Sequence, residues 1–211
     1  MRAVSNTARG KKATQQQRAS ILRQLEALEK CNTVQNPAES DLLCGKWALL
    51  YQAPTVSSGQ SSSSSSSDDD MESNRGETTE GPFLAAFQPL TKGLIRTQAN
   101  LQIIDLPAGR VQNKAQFTVA NGRWKGALNI LGTAVKAEAP AGTSVDKVNV
   151  QFDAFVLTLG SNSWKVPLTW VEAKGWIQTT YLDQDFRVGR GDKGSIFVAA
   201  KLPDDEEEQS P

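Results

Sequence analysis

The sequence predicts a mainly β protein: an antiparallel β-barrel of about eight or nine strands, preceded by one amphipathic α-helix. Three observations support this fold class. Segments of alternating apolar and polar residues recur along the chain, and turn signals separate them at intervals of about ten residues. Most of these segments also have one polar face. Consecutive segments of this kind form a meander of hairpins, and closing the meander into a barrel removes its exposed edges.

Size and charge limit the possible functions. The chain has 211 residues, of which 38 % are hydrophobic, and this suits a single core. Its 23 basic and 23 acidic residues give a net charge of zero, so we expect no nucleic-acid partner. No run approaches the ~20 consecutive apolar residues of a membrane-spanning helix. We therefore expect a soluble or peripheral protein.

The usual signs of catalysis are missing from the sequence. It contains no histidine, no phosphate-binding glycine loop, no GxSxG elbow and no CxxC motif. Asp183, Asp185 and Asp192 fall in predicted turns, where carboxylates are usually solvated. We predict a non-enzymatic protein with no cofactor and no metal. Cys31 and Cys44 are predicted to be free thiols, with a redox-controlled bridge between them as the alternative.

Composition divides the chain into a folded domain, residues 15–202, and two tails. Residues 1–14 are basic and predict either a disordered tail or the remnant of a transit peptide. Residues 57–80 hold seven consecutive serines followed by acidic residues, and they predict a disordered insertion after the first strand. Its serines suit either phosphorylation or an inert spacer. Residues 203–211 predict an acidic disordered tail.

An amphipathic helix is predicted from Gln15 to Cys31, with Asn32 as its C-terminal cap. Its apolar residues recur at helical spacing: Ile21, Leu22, Leu25 and Leu28. This stripe has no aromatic residue and its polar face is mixed in charge. We therefore favour a helix that packs against the barrel or plugs one end over a helix that binds a membrane surface.

The first strand is predicted at residues 45–53, where Gly45, Trp47, Leu49 and Tyr51 share one face. Gly45-Lys46-Trp47 is similar to the GxW triplet that opens lipocalin barrels, in which the tryptophan stacks beneath an arginine from the end of the chain. Arg187 and Arg190 are the two candidates for that arginine. A guanidinium over an indole is stabilised by roughly 1 kcal/mol.

The middle of the chain supplies the next strands. In the first of them the apolar face is predicted to point inward: Ile95, Thr97, Ala99, Leu101 and Ile103. In the second, Val111, Asn113, Ala115, Phe117 and Val119 share the inward face. Asn121-Gly122 then predicts a tight hairpin. Residues 145–159 become apolar on both faces near Phe155, which predicts either a bulge or a cover formed by the helix.

The last strands follow within residues 175–201. Ile177, Thr179 and Tyr181 share one face, and the alternation restarts at Phe186 and Val188. The glycine-rich run 189–194 supplies three residues that tolerate a positive φ, so it predicts the connection to a final strand at 195–201.

Three stretches carry a resemblance to a known family: LLCGKWALLYQAP at Leu42–Pro54, GRVQNKAQF at Gly109–Phe117, and the C-terminal GW, TTYLD, RGDKGS and FVAAK. Together they resemble the plastid lipid-associated protein (PAP/fibrillin) family over roughly residues 21–202, apart from the serine-rich insertion. The resemblance implies a lipocalin-like barrel and a plastid location, at plastoglobules, at thylakoids or in the stroma.

The family likeness also implies a function. It points to a protein that binds, sequesters or transports apolar metabolites such as carotenoids and prenyl quinones, with a link to photoprotection. Two alternatives stay open: a structural coat or scaffold of plastid lipid droplets with a packed barrel, and an accessory factor for prenyl-quinone synthesis. Partners are then apolar small molecules and the thylakoid or plastoglobule surface.

The predicted ligand site is the inside of the barrel, because about eight strands enclose either side chains or one small ligand. The resemblance adds an aspartate near the C-terminus, for which Asp185 and Asp192 are both candidates. The complete set of candidate ligand-binding residues is Trp47, Tyr51, Thr97, Asn113, Phe117, Phe152, Tyr181, Asp185, Arg187 and Asp192.

Overall fold

The computed structural model describes residues 7, 9–10, 12–54, 96–119, 123–170, 173–192 and 194–203, with only the backbone at 54, 96–99 and 119. The predicted insertion at 57–80, the hairpin Asn121-Gly122 and the tail beyond residue 203 lie outside the described residues. Within the described part, the fold is mainly β, and the predicted fold class is confirmed. It contains one α-helix, α1, at Gln15–Glu29.

Among the described residues, nine strands follow the helix in chain order: β1 at Gly45–Pro54, β2 at Arg96–Asp105, β3 at Arg110–Val119, β4 at Trp124–Lys136, β5 at Lys147–Leu159, β6 at Asn162–Pro167, β7 at Lys174–Leu182, β8 at Phe186–Gly191 and β9 at Ser195–Leu202.

The strands form one antiparallel sheet that closes on itself. Its order is β4-β3-β2-β1-β9-β8-β7-β5-β6, and β4 also pairs with β5. One edge of β5 pairs with β4 along most of its length, while the other edge pairs with β6 near its C-terminal end and with β7 near its N-terminal end. Eight strands therefore make a ring, and β6 is a flap beside it. Asp153 is the extra residue of a bulge in β5, as expected from its change of pattern.

The two ends of the barrel differ. At the floor end, where β1 begins, residues 34–44 cross the opening and include two short 3₁₀ turns, Pro37–Glu39 and Asp41–Leu43. Ala38 and Leu43 are each 1 % exposed and pack into the apolar cluster around Trp47. The floor end is therefore sealed. The mouth end is where β1 ends and β9 begins.

Helix α1 packs on the outer face of the barrel, and it does not plug an end. Ile21 and Leu25 lie in a buried cluster with outward-facing residues of β1, β8 and β9, which are Tyr51, Ala53, Val188, Ile196 and Val198. Burial of one such aliphatic side chain contributes roughly 1.5–3 kcal/mol. The preference for packing against the barrel over membrane-surface binding is thus confirmed. The alternative that the helix covers the apolar end of β5 is wrong, since α1 lies across other strands.

Both ends of α1 are fixed by side chains. Thr14 and Gln17 form a capping box: the Thr14 hydroxyl accepts from the Gln17 N–H at 3.2 Å, and the Gln17 Oε1 accepts from the Thr14 N–H at 2.9 Å. The helix ends at Glu29 with Lys30 as its C-cap, two residues earlier than predicted. Asn32, two residues further on, is therefore not the cap, and its Oδ1 accepts from the backbone N–H of Leu182. This bond ties the chain after the helix to β7.

An ion pair anchors the C-terminal end of the helix to the barrel. The Arg190 guanidinium donates to the Glu29 carboxylate at 2.9 and 2.7 Å, and the Thr180 hydroxyl donates to the same carboxylate at 2.6 Å. Burial alone would raise the pKa of Glu29, but the hydrogen bonds from Arg190 and Thr180 outweigh it and hold the pKa below its ordinary value of 4.5.

We expect Glu29→Gln to lower the free energy of unfolding at neutral pH by about 1–2 kcal/mol, because a charge-assisted bond becomes a neutral one. Since the folded-state pKa lies below the unfolded value, this contribution is complete above the unfolded pKa and is lost as the pH falls through the folded one. Urea unfolding of both proteins across the acid range checks this. A difference that stays constant down to about pH 3 would contradict it.

Candidate functional site

The floor of the barrel is built around Trp47, which is fully buried. The Arg187 guanidinium carbon lies 5.1 Å from the centre of its ring, and the Lys201 Nζ lies 4.8 Å from it. The indole N–H donates to the Leu43 carbonyl at 2.9 Å, which fixes the ring to the floor segment. The predicted stacking of an arginine over Trp47 is therefore found, and Arg187 supplies it. Arg190 points outward to α1.

Arg187 is 2 % exposed, and burial lowers its pKa to about 10, so it stays charged at neutral pH. Its Nη2 donates to Gln102 Oε1, and the Gln102 amide donates to Asn113 Oδ1 at 2.9 Å. Its Nε has no hydrogen-bond partner among the described residues. A buried cation held by neutral groups is costly, so this chain of amides and the ring faces of Trp47 and Phe197 offset its desolvation.

A small cavity of about 20 Å³ lies beside this cation. Gln102, Thr179 and Arg187 provide its polar lining, and aliphatic side chains such as Ile104 and Val150 provide the rest. That volume suits one water molecule and no larger ligand. The floor half of the barrel is therefore packed.

The upper half of the lumen is apolar. A buried cluster lines it, consisting of Phe117, Leu128, Ile130, Phe155 and Leu168. Leu157 and Leu159 pack against this cluster but remain partly exposed, and so does Phe197 near the same end. Apolar surface is therefore exposed at the mouth end of the described barrel.

Glycines opposite phenylalanines hold the rings flat against the barrel wall. Phe117 faces Gly126 and Phe197 faces Gly189 in register. A Cβ added to Gly126 would lie 2.4 Å from the Phe117 ring, and one added to Gly189 would lie 2.2 Å from the Phe197 ring. Gly132 pairs with Phe152, and a Cβ added there would lie 3.0 Å from the Phe152 ring and 2.4 Å from the Gln151 carbonyl oxygen. Larger residues at these glycines would push the rings into the lumen.

This arrangement corrects the prediction for the glycine run 189–194. Strand β8 continues through Gly189 to Gly191, so the connection is shorter than expected. Among the described glycines of that run, Gly194 has a positive φ, of 70°. Gly189 is required for a different reason, which is the room that the Phe197 ring occupies.

Two predicted ligand residues lie outside the lumen because β-bulges reverse the faces of their strands. The register of β1 shifts between Leu49 and Tyr51, and that of β7 shifts between Thr179 and Tyr181. Tyr51 is buried beneath α1, and Tyr181 packs against the same outer cluster. The Tyr181 hydroxyl donates to Asp183 at 2.6 Å, which raises its pKa to about 12.

Strand β2 shows a third reversal. Gln102 and Ile104 line the lumen, so the predicted inward set that includes Leu101 and Ile103 is wrong for this part of the strand. The register shifts between Thr97 and Ala99. Thr97 pairs with Phe117, but its side chain lies outside the described residues.

The remaining predicted ligand residues differ in whether they face the lumen or lie at one end of the barrel. Asn113, Phe117 and Phe152 face the lumen as predicted. Asp185 lies exposed in the turn before β8, at the floor end. Asp192 follows β8 at the mouth end, where its carboxylate covers the face of Gly175. The two aspartates therefore lie at opposite ends of β8.

Sequence reasoning missed three residues of the site: Gln102, Phe197 and Lys201. Lys201 lies opposite Trp47 and donates to the carbonyls of Leu42 and Cys44, which pins the floor segment. The glycine opposite Phe197 was a usable signal, because a strand glycine often marks a close approach. Cys31 and Cys44 are both free thiols, as predicted.

The fold and the site together define a lipocalin-like barrel, with a tryptophan and an arginine at its sealed floor and an apolar mouth. The PAP_fibrillin family model matches residues 1–200. The chain therefore belongs to the PAP_fibrillin family, as the resemblance implied.

Relatives agree with this assignment. The chain is 29 % identical over 202 residues to probable plastid-lipid-associated protein 12, chloroplastic, of Arabidopsis thaliana, covering 92 % of this chain and 41 % of the relative. It is 26 % identical over 216 residues to plastoglobulin-1, chloroplastic, of Pisum sativum, and the match covers 94 % of this chain and 58 % of that relative. It is 27 % identical over 213 residues to the light-induced protein, chloroplastic, of Solanum demissum, and the match covers 92 % of this chain and 63 % of that relative.

This chain thus spans between 41 % and 63 % of the length of those relatives. Their names agree with the expected plastid location. No solved structure matches the chain. No helix in the described part of the chain is long and apolar enough to cross a membrane.

We expect Trp47→Ala to lower the free energy of unfolding by about 3–5 kcal/mol, because it leaves a cavity and removes the ring that faces the buried Arg187 and the partly buried Lys201. Thermal or urea unfolding measures the change. Trp170→Ala is the control, since Trp170 is 75 % exposed and its substitution should cost under about 0.5 kcal/mol. Equal losses in the two variants would contradict the role assigned to Trp47.

Proposed function

We propose that this protein is a non-enzymatic plastid lipid-associated protein that holds an apolar metabolite in the upper half of its barrel. One observation carries the proposal: the mouth half of the barrel holds a buried apolar cluster whose neighbours Leu157 and Leu159 are partly exposed, while the floor is sealed. An apolar surface that is accessible at one end only suits contact with a small apolar ligand. The names of the relatives place them at plastid lipids, and we propose the same location, at plastoglobule or thylakoid surfaces, for this chain.

Carotenoids and prenyl quinones are the proposed ligand classes, because both are long and almost wholly apolar. Burial of roughly 300 Å² of such a molecule contributes about 7.5 kcal/mol before association costs, which allows micromolar binding. Phe117, Phe152 and Asn113 face the lumen and are the proposed contacts, with Asp192 at its mouth. Trp47 and Arg187 act below the ligand as the floor. Photoprotection would follow if the ligand is a carotenoid.

A packed barrel that coats lipid droplets, or assists prenyl-quinone synthesis without a ligand of its own, is the second candidate. The observation that favours it is the small volume of the cavity beside Arg187, about 20 Å³, which is too small for a lipid. The two candidates differ in what occupies the mouth half.

We expect organic extraction of the purified protein, after incubation with carotenoids and prenyl quinones, to release one of them in stoichiometric amount. Leu157→Trp should abolish this uptake with little loss of stability, because Leu157 lies opposite Leu128 on the inner face and is partly exposed. The larger side chain would occupy the ligand's space.

Leu131→Trp is the matched control, because Leu131 lies between two inward-facing positions of β4 and therefore points outward. It should bind as the wild type does. Wild-type protein that takes up no apolar compound would refute the ligand and leave the packed coat. Equal uptake by Leu157→Trp would place the ligand outside the barrel.

A further inference from the structure

Two of the five tryptophans of the chain, Trp124 and Trp164, are exposed on strands that reach the mouth end. Their relative exposures are 55 % and 50 %. An indole has a large apolar body and one polar N–H, so leaving it in water forgoes much of the stabilisation that its burial would give. Exposed indoles on one side of a protein are typical of a contact surface.

The strand register shows that both indoles extend the inner face of the barrel. Trp124 precedes by two residues Gly126, which pairs with Leu159, and Trp164 pairs with Leu157. From strand spacing, their Cα atoms lie roughly 16 Å apart along the same edge of the mouth. Immediately below them is the apolar cluster of the upper lumen. We call the segments 123–125 and 160–165 the tryptophan rim.

The charges of the rim have one sign. Arg123, Lys125 and Lys165 are all exposed. The strands that carry them contain no carboxylate, either from 123 to 136 or from 154 to 167. Tryptophan is also common in protein–protein interfaces, but the combination of half-exposed indoles with cations alone matches an interface between water and anionic lipid.

We propose that the tryptophan rim is the surface by which this protein docks, mouth first, on an anionic lipid surface. The inference rests on the proposed function, and it adds which part of the molecule meets the lipid. The indoles enter the headgroup region and the three cations contact anionic headgroups. In this orientation the lumen opens onto the lipid, so an apolar ligand passes between the two without crossing water.

Flotation of the full chain with vesicles tests the proposal. The probes are vesicles of phosphatidylcholine alone and of phosphatidylcholine mixed with phosphatidylglycerol. We expect the wild type to float with the mixed vesicles and less with the neutral ones. We expect the double variant Trp124→Ser and Trp164→Ser to bind at least about tenfold more weakly, because two apolar groups no longer enter the lipid.

Trp170→Ser is the matched control. Trp170 is the most exposed of the three, but it lies in the β6–β7 connection, whose neighbours Leu168 and Ala173 bond to Asp153 and Phe152. Along β5 this is roughly 25 Å from the level of Trp124. Its substitution should leave flotation unchanged. Thermal unfolding of each variant checks that the fold is intact.

A second rim variant combines Ser161→Glu with Asn162→Glu at the exposed tip of the β5–β6 hairpin. It should weaken binding to anionic vesicles by adding negative charge, without removing an indole.

The outcomes separate the two proposals. Equal flotation of the wild type and both rim variants overturns the rim as the docking surface, while lipid association stands. Loss of flotation in Trp170→Ser to the same extent also overturns it, because the contact would then not be specific to the mouth. Wild-type protein that floats with neither vesicle overturns the docking surface as a whole, and extraction of a ligand then decides separately whether the barrel binds one.

Discussion

The buried cation of Arg187 is the constraint on which the floor of the barrel depends. A guanidinium that has left water must find acceptors or ring faces, and the lumen supplies Gln102, Trp47 and Phe197. Trp47 in turn bonds to Leu43 in the segment that crosses the floor end. The buried charge, the indole and the floor segment are therefore linked by direct contacts, and Lys201 adds a second tie through the carbonyls of Leu42 and Cys44.

β-Bulges in β1 and β7 explain how helix α1 docks on the outside of the barrel. A strand has two faces, and one extra residue exchanges them. The shift after Leu49 leaves Trp47 inside and turns Tyr51 out, and the shift after Thr179 does the same for Tyr181. Both tyrosines join the outer apolar surface on which α1 packs. The helix has a place to dock because these strands change face midway.

The sequence was sufficient for the fold class, the helix and the stacking of an arginine over Trp47, because each depends on a local pattern or on a short motif. It left the strand count at eight or nine and did not choose between Arg187 and Arg190. Alternation identifies a strand and its two faces, but it does not show where a bulge exchanges them, since that depends on the partner strand. Tyr51, Tyr181 and Leu101 were assigned to the wrong face for this reason. Gln102 was missed for the same reason, since the register shift between Thr97 and Ala99 precedes it in β2, and its partner Arg187 lies 85 residues further along the chain.

The two halves of the lumen differ in chemistry because of their glycines as well as their polar groups. An eight-stranded barrel is just wide enough to be filled by its own side chains, so the proposed ligand site needs a means of keeping rings out of the centre of the barrel. Gly126 and Gly189 provide it, since each lets the phenyl ring opposite lie against the wall where a Cβ would stand. The floor, by contrast, is filled by Arg187 and its partners. The proposed ligand would therefore occupy space that small residues leave open, above a floor that the buried charge keeps closed.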